Sequence, residues 1–339
     1  MATSKTKTSA TSSAQEAVPK TKLVVGAIDF GTTYSGFAYA FKNDPTKIQT
    51  NNWNNQNFLS LKTTTSILFN KGTFNSFGFD ADRKYTAVLE KEEGKNDDSD
   101  SDSDDDEKHK DKPKAKEELI YEDCQYFNRF KMMLYRELQS LDGNPSQYNK
   151  RKITKAMKLK DGKGGTMEAF NVFVSAIAFL KNKLMSSIQS RVPNILPDDV
   201  CWVLTIPAIW TDTAKQFMRE AAEAAGIKSD SLTLALEPEA AAIYCKEEIV
   251  QKQEKEECDE SGTVDITISE VLKNGHLKEI RTASGGPWGG TMVDEEYFRF
   301  LKDLFGENVW KKFVKRCPSA KLDIESDFEI KKRNFQPNL

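Results

Sequence analysis

The sequence predicts a mixed α/β fold, and three observations carry that prediction. The stretch "VCWVLTI", Val200–Ile206, is a nearly continuous apolar run closed by a proline, as in a strand that is covered on both faces. The next stretch, "TDTAKQFMREAAEAAG", has a capping residue, apolar positions at helical spacing and a terminal glycine. A second buried strand, "LTLAL" at Leu232–Leu236, leads straight into another helix. This alternation is typical of a sheet covered by helices.

The other elements follow from the two periods that distinguish strands from helices. Strands are predicted at residues 24–28, 37–41, 66–69, 76–79, 264–270 and 276–282. Helices are predicted at residues 126–138 and 167–188. The second of these helices follows a glycine-rich turn, "DGKGG", and its apolar positions mostly recur with the helical period.

The composition argues against several classes of protein. The net charge of -3 provides no basic field for a nucleic acid. No apolar run approaches the roughly 18 residues of a membrane span, so no membrane partner is expected. The 5 cysteines are scattered without a CxxC pair, which indicates reduced thiols in a cytoplasmic protein. Residues 1–21 are rich in serine, threonine and alanine and lack the apolar core of a secretory signal, so a flexible arm is predicted.

An acidic segment interrupts the pattern at residues 91–118. Its sequence, "KEEGKNDDSDSDSDDDEKHKDKPKAKEE", has no hydrophobic period and buries too little apolar surface to offset the entropy of ordering. A disordered insertion at the surface is therefore predicted. A solvated helix is the alternative.

The stretch "VVGAIDFGTTYSGFAYAF" predicts a hairpin whose turn carries polar groups. Gly31 permits positive φ and the close approach of another group. The amides and hydroxyls of Thr32, Thr33 and Tyr34 would form a nest for an anion. Asp29, at the end of the first strand, suits a hydrated Mg²⁺ that is also held by phosphates. The hypothesis is a phosphate-and-metal hairpin, and the alternative is an ordinary β-hairpin with a polar turn. No GxxxxGK[ST] phosphate loop occurs in the chain.

Several motifs occur in an order that resembles a known family. They are "IDFGTTYSG", "LTIPAIW" with "AKQFMREAAEAAGI", "LALEPEAAAIY", and "GTVDITI" with "GGPWGGTMVDEEYFRFL". Together they resemble the nucleotide-binding domain of the 70-kDa heat-shock proteins, in the actin/sugar-kinase/heat-shock ATPase superfamily. "RFKMMLY" and "GHLKEIRTASGGPWGGTMVD" are similar to the branch called heat shock 70 kDa protein 12. The resemblance spans residues 22–304 and implies an actin-like, two-lobed ATPase fold of ribonuclease H-like type that binds ATP and Mg²⁺.

The resemblance also implies roles for individual residues. The first phosphate hairpin would comprise Asp29, Gly31, Thr32, Thr33 and Tyr34. Lys131 is similar in place to the family's lysine near the γ-phosphate, with a surface lysine on an amphipathic helix as the alternative. Glu237 matches the glutamate that orients water bound to Mg²⁺, with stabilisation of a helix N-terminus as the alternative. Asp29, Lys131 and Glu237 are thus the candidate catalytic residues, and Asp29 is the candidate metal ligand through water. Pro207 matches a proline that couples the lobes, with a strand stop as the alternative.

The second phosphate hairpin departs from the family pattern. The family has Asp-x-Gly-Gly-Gly-Thr-x-Asp, whereas this chain has "CDESGTVD". The matching residues, which are predicted to contact nucleotide, are Gly262, Thr263 and Asp265. Cys258 falls in the place of the metal-binding aspartate unless Asp259 replaces it. A carboxylate beside phosphate adds repulsion, and lost glycines restrict the approach of the backbone. A damaged hairpin is therefore predicted.

The resemblance divides the chain into a nearly complete first lobe and an incomplete second lobe, because Leu339 precedes the segment where the family binds adenine. The predicted divisions are an arm at 1–21, lobe I at 22–228 with the insertion at 91–118, part of lobe II at 229–316, and a tail at 317–339. The first functional hypothesis is an ATP- or ADP-binding, heat-shock-70-like protein with weak ATPase activity and a chaperone or stress-related role. The alternative is a non-catalytic interaction protein with a degraded nucleotide site. A small-molecule kinase is disfavoured by "LTIPAIW" and "EPEAAA".

Overall fold

A computed structural model describes residues 21–55, 58–97, 119–135, 153–251, 264–286, 288–333 and residue 335. The strands are β1 (Val24–Phe30), β2 (Tyr34–Phe41), β3 (Asp44–Thr50), β4 (Trp53–Asn55), β5 (Phe58–Ser60), β6 (Lys62–Thr64), β7 (Ser66–Asn70), β8 (Thr73–Phe77), β9 (Cys124–Asn128), β10 (Lys158–Lys160), β11 (Thr166–Glu168), β12 (Val200–Ile206), β13 (Leu232–Leu236), β14 (Val264–Val271) and β15 (Leu277–Gly286). The helices are α1 (Phe79–Asp97), α2 (Met132–Tyr135), α3 (Ala169–Arg191), α4 (Asp212–Ala224), α5 (Glu237–Gln251), α6 (Gly290–Phe305), α7 (Glu307–Arg316) and α8 (Pro318–Arg333). The α/β prediction is confirmed.

The main sheet has the strand order β13-β12-β1-β2-β3, with β6 also paired to β2. Strands β1, β12 and β13 run parallel, and the register aligns Val24 with Val200 and Trp202 with Leu232. Strands β1 and β2 are antiparallel neighbours, as expected for the predicted hairpin. The carboxyl ends of β1, β12 and β13 therefore meet at one edge of the sheet.

Helices α3 and α4 cover the main sheet, as their apolar spacing predicts. On α3 the residues of the inward stripe are buried: Ala169, Val172, Phe173, Ala176, Ile177, Leu180, Leu184, Met185 and Ile188. Thr211 caps α4, because its hydroxyl accepts a hydrogen bond from the amide of Ala214. Gly26 on β1 faces Leu184, and a Cβ there would lie 3.1 Å from a methyl carbon of that leucine. Helix α3 therefore packs closely on β1.

The helix predicted at 126–138 is wrong for residues 126–131, whereas α2 covers residues 132–135 and residues 136–138 lie outside the described residues. Strand β9 includes residues 126–128 and pairs antiparallel with β7, with Ser66 opposite Asn128 and Leu68 opposite Tyr126. Arg129 then takes a left-handed conformation (φ 49), which ends the strand before the short helix α2. The pairing with β7 outweighs a local pattern that favours a helix, because strand pairing depends on a partner far away in the sequence.

Two other boundaries differ from the prediction. The strand predicted at 76–79 is β8, which ends at Phe77 because Gly78 has a φ of 68 and α1 begins at the next residue. Helix α1 was not predicted, and it continues through residues 91–97, the start of the predicted acidic insertion. Residues 98–118 of that insertion and residues 1–20 of the predicted arm lie outside the described residues.

The stretch after Cys317, predicted to be a tail, forms helix α8. Leu322 packs against an apolar cluster that includes Leu68 of β7 and Leu89 of α1. Phe328 stacks on Tyr297 of α6 with ring centroids 3.9 Å apart. These apolar contacts are few and widely spaced in a charged sequence, which explains why periodicity alone does not identify the helix.

The described helices include none with both the length and the apolar character that a bilayer crossing requires.

Candidate functional site

The hairpin turn between β1 and β2 forms the first part of the site. Gly31 is not in the positive-φ region, which differs from the prediction. Glycine is required here for a steric reason, because a Cβ at this position would lie 2.0 Å from the carbonyl oxygen of Tyr34. The close approach that the sequence predicted is therefore the feature that excludes other residues at position 31.

The connection from β6 to β7 is hydrogen-bonded to this turn. The Thr65 hydroxyl donates to the carbonyl of Gly31 at 2.9 Å, and the Thr65 amide donates to the carbonyl of Thr33 at 2.7 Å. The hydroxyl of Ser35 lies 2.7 Å from that of Thr65, and both residues are buried. The turn is thus supported by three hydrogen bonds that involve Thr65.

Thr33 carries a polar atom that has no partner in the described part of the chain. Its Oγ1 is buried and makes no hydrogen bond there. An unsatisfied buried hydroxyl costs about 1–3 kcal/mol, so such groups are uncommon in folded proteins. This hydroxyl, on a turn with close backbone approach, fits a site that is completed by a ligand with hydrogen-bonding oxygen atoms.

Asp29 lies at the carboxyl end of β1 and is held in its ionised form. Its Oδ2 is 3.0 Å from Nζ of Lys62, and its Oδ1 accepts a hydrogen bond of 2.7 Å from the Thr205 hydroxyl. Burial acts to raise the pKa of Asp29. The charge of Lys62, the hydrogen bond from Thr205 and the charge of Lys131 outweigh burial and hold the pKa of this carboxyl below its ordinary value.

Replacing Asp29 with asparagine is expected to lower the free energy of unfolding by less than about 1 kcal/mol at neutral pH, because the ion pair with Lys62 that is lost is partly exposed to water. A carboxyl whose pKa is lowered by folding adds stability above its unfolded pKa, and that stability is lost as pH falls through the folded value. The difference between the chain and Asp29→Asn should therefore close below pH 3.8. Urea unfolding of both proteins, from neutral pH into acid, measures this difference in the free energy of unfolding. A difference that widens in acid would contradict the assignment.

Lys131 and Glu237 form the second part of the site. Lys131 immediately precedes α2 and is only 2% exposed, and Glu237 is the first residue of α5 at the end of β13. The lysine Nζ lies 2.6 Å from Oε1 of Glu237 and 5.3 Å from the centre of the Trp210 ring. A buried ammonium requires such a partner, so Lys131 is not the solvent-exposed surface lysine of the alternative interpretation.

The structure brings together Asp29, Lys131 and Glu237 with the first hairpin. The second hairpin is different. Gly262 and Thr263 lie outside the described residues, as does Cys258, and Asp265 belongs to β14, where it pairs with Gly285. The predicted damage to this hairpin therefore stays a prediction. Among the residues that the structure describes, no three histidine, cysteine or acidic side chains converge as a metal site.

Sequence reasoning missed three residues of this region. Thr205 and Lys62 contact Asp29 from β12 and β6, and Trp210 lies beneath Lys131. The only local signal is the polar threonine within the apolar run "VLTIP". Lys62 carries no such signal, because its contact with Asp29 depends on the pairing of β6 with β2.

Helices α6 and α8 form a wall of the site, across from the β1–β2 hairpin. The hydroxyl of Tyr34 donates to Glu329 at 2.9 Å. Asp294 is buried between Arg129 and Lys332, with both contacts at 2.8 Å, and Lys332 also lies 2.7 Å from Glu329. Burial acts to lower the pKa of Lys332, but the two carboxylates raise it above its ordinary value. This charged network joins α8 to the tip of the hairpin.

A cavity of about 520 Å³ lies between this wall and helix α1. Thr33, Tyr34, Asp82, Arg129 and Glu329 are among its lining residues. Asp82 accepts hydrogen bonds from Thr64 at 2.6 Å, from Tyr126 at 2.8 Å and from Ser66, and burial raises its pKa. The cavity therefore opens beside the hairpin and has polar groups that can contact a ligand.

Comparison with known proteins identifies the family, although no family model matches the chain. The chain is 30% identical to human heat shock 70 kDa protein 12B over 93% of its length, and 31% identical to mouse heat shock 70 kDa protein 12A over 94%. The alignment covers 50% and 51% of those relatives, so the chain spans about half of their length. A shorter match, 31% identical over 30% of the chain, is to the chaperone protein DnaK of Thermoplasma volcanium. The mixed sheet and its helices are consistent with an actin-like ATPase fold, and the chain belongs to the 70-kDa heat-shock protein family, in its heat shock 70 kDa protein 12 branch.

Proposed function

We propose that the chain binds ATP or ADP with Mg²⁺ at the β1–β2 hairpin and that it hydrolyses ATP weakly or not at all. One observation carries this proposal: the turn that follows the Asp29 strand excludes a Cβ at position 31 and contains a buried Thr33 hydroxyl with no partner in the described part of the chain. Membership of the heat-shock 70 family supports nucleotide as the ligand. The finer roles of the residues are part of the proposal.

Phosphates would contact the turn residues Thr32, Thr33 and Tyr34, whose amides and hydroxyls can donate hydrogen bonds to an anion. Asp29 would hold Mg²⁺ through water, since a single carboxylate together with phosphate oxygens suits that ion. When bound, Mg²⁺ would neutralise charge on the phosphates. The cavity adjoins Thr33 and Tyr34, but Asp29, Lys131 and Glu237 are not among its lining residues, so it is not assigned to the rest of the nucleotide.

Lys131 and Glu237 would act near the terminal phosphate. The lysine supplies positive charge, and the glutamate keeps the lysine in place and can orient water at the same edge of the sheet. Weak turnover follows if Glu260 and Ser261 place a carboxylate and a side chain where the family has glycines. A chaperone or stress-related role is consistent with the family and is likewise proposed.

A non-catalytic interaction protein is the second candidate, and the sequence "CDESGTVD" favours it. The two candidates differ in their response to nucleotide. A ligand present at one hundred times its dissociation constant stabilises the folded state by about 2.7 kcal/mol, so ATP with Mg²⁺ should raise the melting temperature of a binding protein. No change in melting temperature at millimolar nucleotide would reject nucleotide binding and leave the second candidate.

Replacing Thr33 with valine provides the sharpest test of the site. Valine keeps the shape of the side chain and removes the unpartnered hydroxyl, so the free protein should be equally stable or up to about 1 kcal/mol more stable. Nucleotide affinity should fall about tenfold, because one hydrogen bond to a charged ligand is lost. Calorimetric titration with ATP and Mg²⁺ measures the affinity, and thermal melting measures the stability.

Thr73→Val is the matched control, since Thr73 is exposed on β8 away from the hairpin. It should leave nucleotide affinity unchanged. If Thr33→Val destabilises the free protein and leaves affinity intact, the Thr33 hydroxyl has a structural role and the proposed phosphate contact is wrong.

A further inference from the structure

A row of residues crosses the main sheet at the end of β1 and joins Asp29 to β6. In the strand register, Asp29 lies opposite Gly36 of β2, and Gly36 lies opposite Lys62 of β6. Residues that lie opposite each other on antiparallel neighbours have their side chains on the same face of the sheet. Lys62 and Asp29 therefore share a face, with a glycine between them.

The glycine at position 36 leaves room for the lysine side chain. A Cβ on Gly36 would lie 3.1 Å from Cγ of Lys62 and 3.0 Å from the carbonyl oxygen of Leu61. The backbones of β1 and β6 are two strand spacings apart, roughly 9–10 Å, and the long, flexible stem of lysine helps to cover this distance. The stem passes over Gly36, and its Nζ lies 3.0 Å from Oδ2 of Asp29. The contact thus follows from the strand register.

Both oxygen atoms of the Asp29 carboxylate have partners from neighbouring strands. Oδ1 accepts the hydrogen bond from the Thr205 hydroxyl at 2.7 Å, and Oδ2 faces the ammonium group of Lys62. Burial acts to raise the pKa of Asp29, and the charge of Lys62 is the foremost influence that lowers it. A divalent cation that approached Oδ2 would meet the positive charge of Lys62 at close range, and like charges repel each other.

We infer that Lys62 is the resident counter-ion of the hairpin site and that it competes with Mg²⁺ for Asp29. This inference rests on the proposed nucleotide site and adds the cation requirement of that site. Because Lys62 neutralises Asp29, the carboxylate repels phosphate less, and nucleotide can bind without a metal ion. Mg²⁺ gains contact with Asp29 only when the lysine moves away, so adding the ion strengthens binding little. The side chains of Lys62 and Asp29 are 29% and 38% exposed, which permits this exchange.

Lys131 has a different place in the site, although its charge also acts on Asp29. Its Nζ lies 2.6 Å from Oε1 of Glu237, and that carboxylate balances its charge. Lys62 contacts Asp29 directly. Removing Lys62 should therefore leave Asp29 without its counter-ion and make nucleotide binding dependent on Mg²⁺.

Calorimetric titration of the full chain with ADP, once with excess Mg²⁺ and once with EDTA, tests this inference. The two dissociation constants of the unmodified chain should differ by less than about threefold. Lys62→Met should bind ADP at least about tenfold more tightly with Mg²⁺ than with EDTA, because Asp29 then repels phosphate unless the ion neutralises it. ADP is the probe because hydrolysis of a terminal phosphate does not disturb the titration.

Two further variants show whether the effect passes through this ion pair. Lys62→Arg keeps the positive charge and should keep the small difference between the two conditions. Lys62→Met with Asp29→Asn removes both charges and should return the difference to less than about threefold. Lys47→Met is the matched control, since Lys47 is exposed on β3 of the same sheet and its loss changes the net charge equally. It should leave the difference unchanged.

A melting curve for each variant shows whether it folds, and Lys62→Gln replaces Lys62→Met if the latter does not fold. Mg²⁺ that strengthens ADP binding to the unmodified chain tenfold or more would overturn the inference. The same small dependence on Mg²⁺ in the unmodified chain and in Lys62→Met would also overturn it, as would an equal rise in Lys47→Met. The absence of ADP binding in the chain and every variant, in both conditions, would reject the proposed nucleotide site and the inference with it.

Discussion

Replacing Lys131 with methionine is expected to lower the free energy of unfolding by about 3 kcal/mol. Lys131 is 2% exposed, and its partner Glu237 lies 2.6 Å away. Removing one member of a buried ion pair typically costs about 3–5 kcal/mol, since the remaining charge is left uncompensated. The lower end of this range applies because the Glu237 side chain is 26% exposed, so water can solvate its charge once Lys131 is removed. Urea unfolding of the free protein measures the loss.

A second substitution separates the charge effect from lost packing. Adding Glu237→Gln to Lys131→Met should restore most of the stability, because no charge is then left unpaired, and the two changes should couple by about 1–3 kcal/mol. The pair of Lys228 and Asp198 has the same 2.6 Å distance but is exposed, so Lys228→Met should destabilise the protein far less than Lys131→Met does. Equal losses at the two lysines would show that burial of Lys131 is not the cause.

Replacing Gly31 with alanine is expected to destabilise the protein by about 3 kcal/mol, towards the upper end for a single substitution. The new Cβ would lie 2.0 Å from the carbonyl oxygen of Tyr34. That oxygen belongs to the backbone and cannot move away as the end of a flexible side chain would. The turn must open, which also breaks the hydrogen bonds from Thr65. The rise in melting temperature with ATP and Mg²⁺ should therefore disappear.

Gly162→Ala is the control for this substitution. Gly162 has no positive φ and no atom within 4 Å of an added Cβ, so the change should stay within about 0.5 kcal/mol. An alanine at position 31 that leaves both stability and nucleotide response intact would show that the turn has room to relax. The steric argument for Gly31 would then be wrong.

The sequence allowed the local parts of the site to be predicted. Strands β1 and β2 were expected because their apolar runs flank a polar turn, and helix α5 was expected to begin at Glu237. Lys131 was selected by resemblance, and its burial against Glu237 agrees with a place inside the site. Each of these features is specified by residues that are close together in the chain.

The rest of the site depends on contacts between distant segments. Thr205 reaches Asp29 across 176 residues, because β12 pairs in parallel with β1. Strand β9 replaces a predicted helix because β7 lies beside it. Helix α8 is held by contacts with α1, including two hydrogen bonds from Ser319 to Glu93. No local period encodes a partner at such a distance, so pattern reading could not find these contacts.

The bond between Tyr34 and Glu329 has a consequence for synthesis on the ribosome. The two residues are 295 positions apart, whereas β1 and β2 pair across a three-residue turn. Translation proceeds from the N-terminus at about 5–20 residues per second, so the hairpin emerges many seconds before α8. A nascent chain thus has the turn without its opposite wall, and closing so long a loop adds an entropic cost. Ligand could stabilise the early hairpin only through the turn itself, because α8 is made after it.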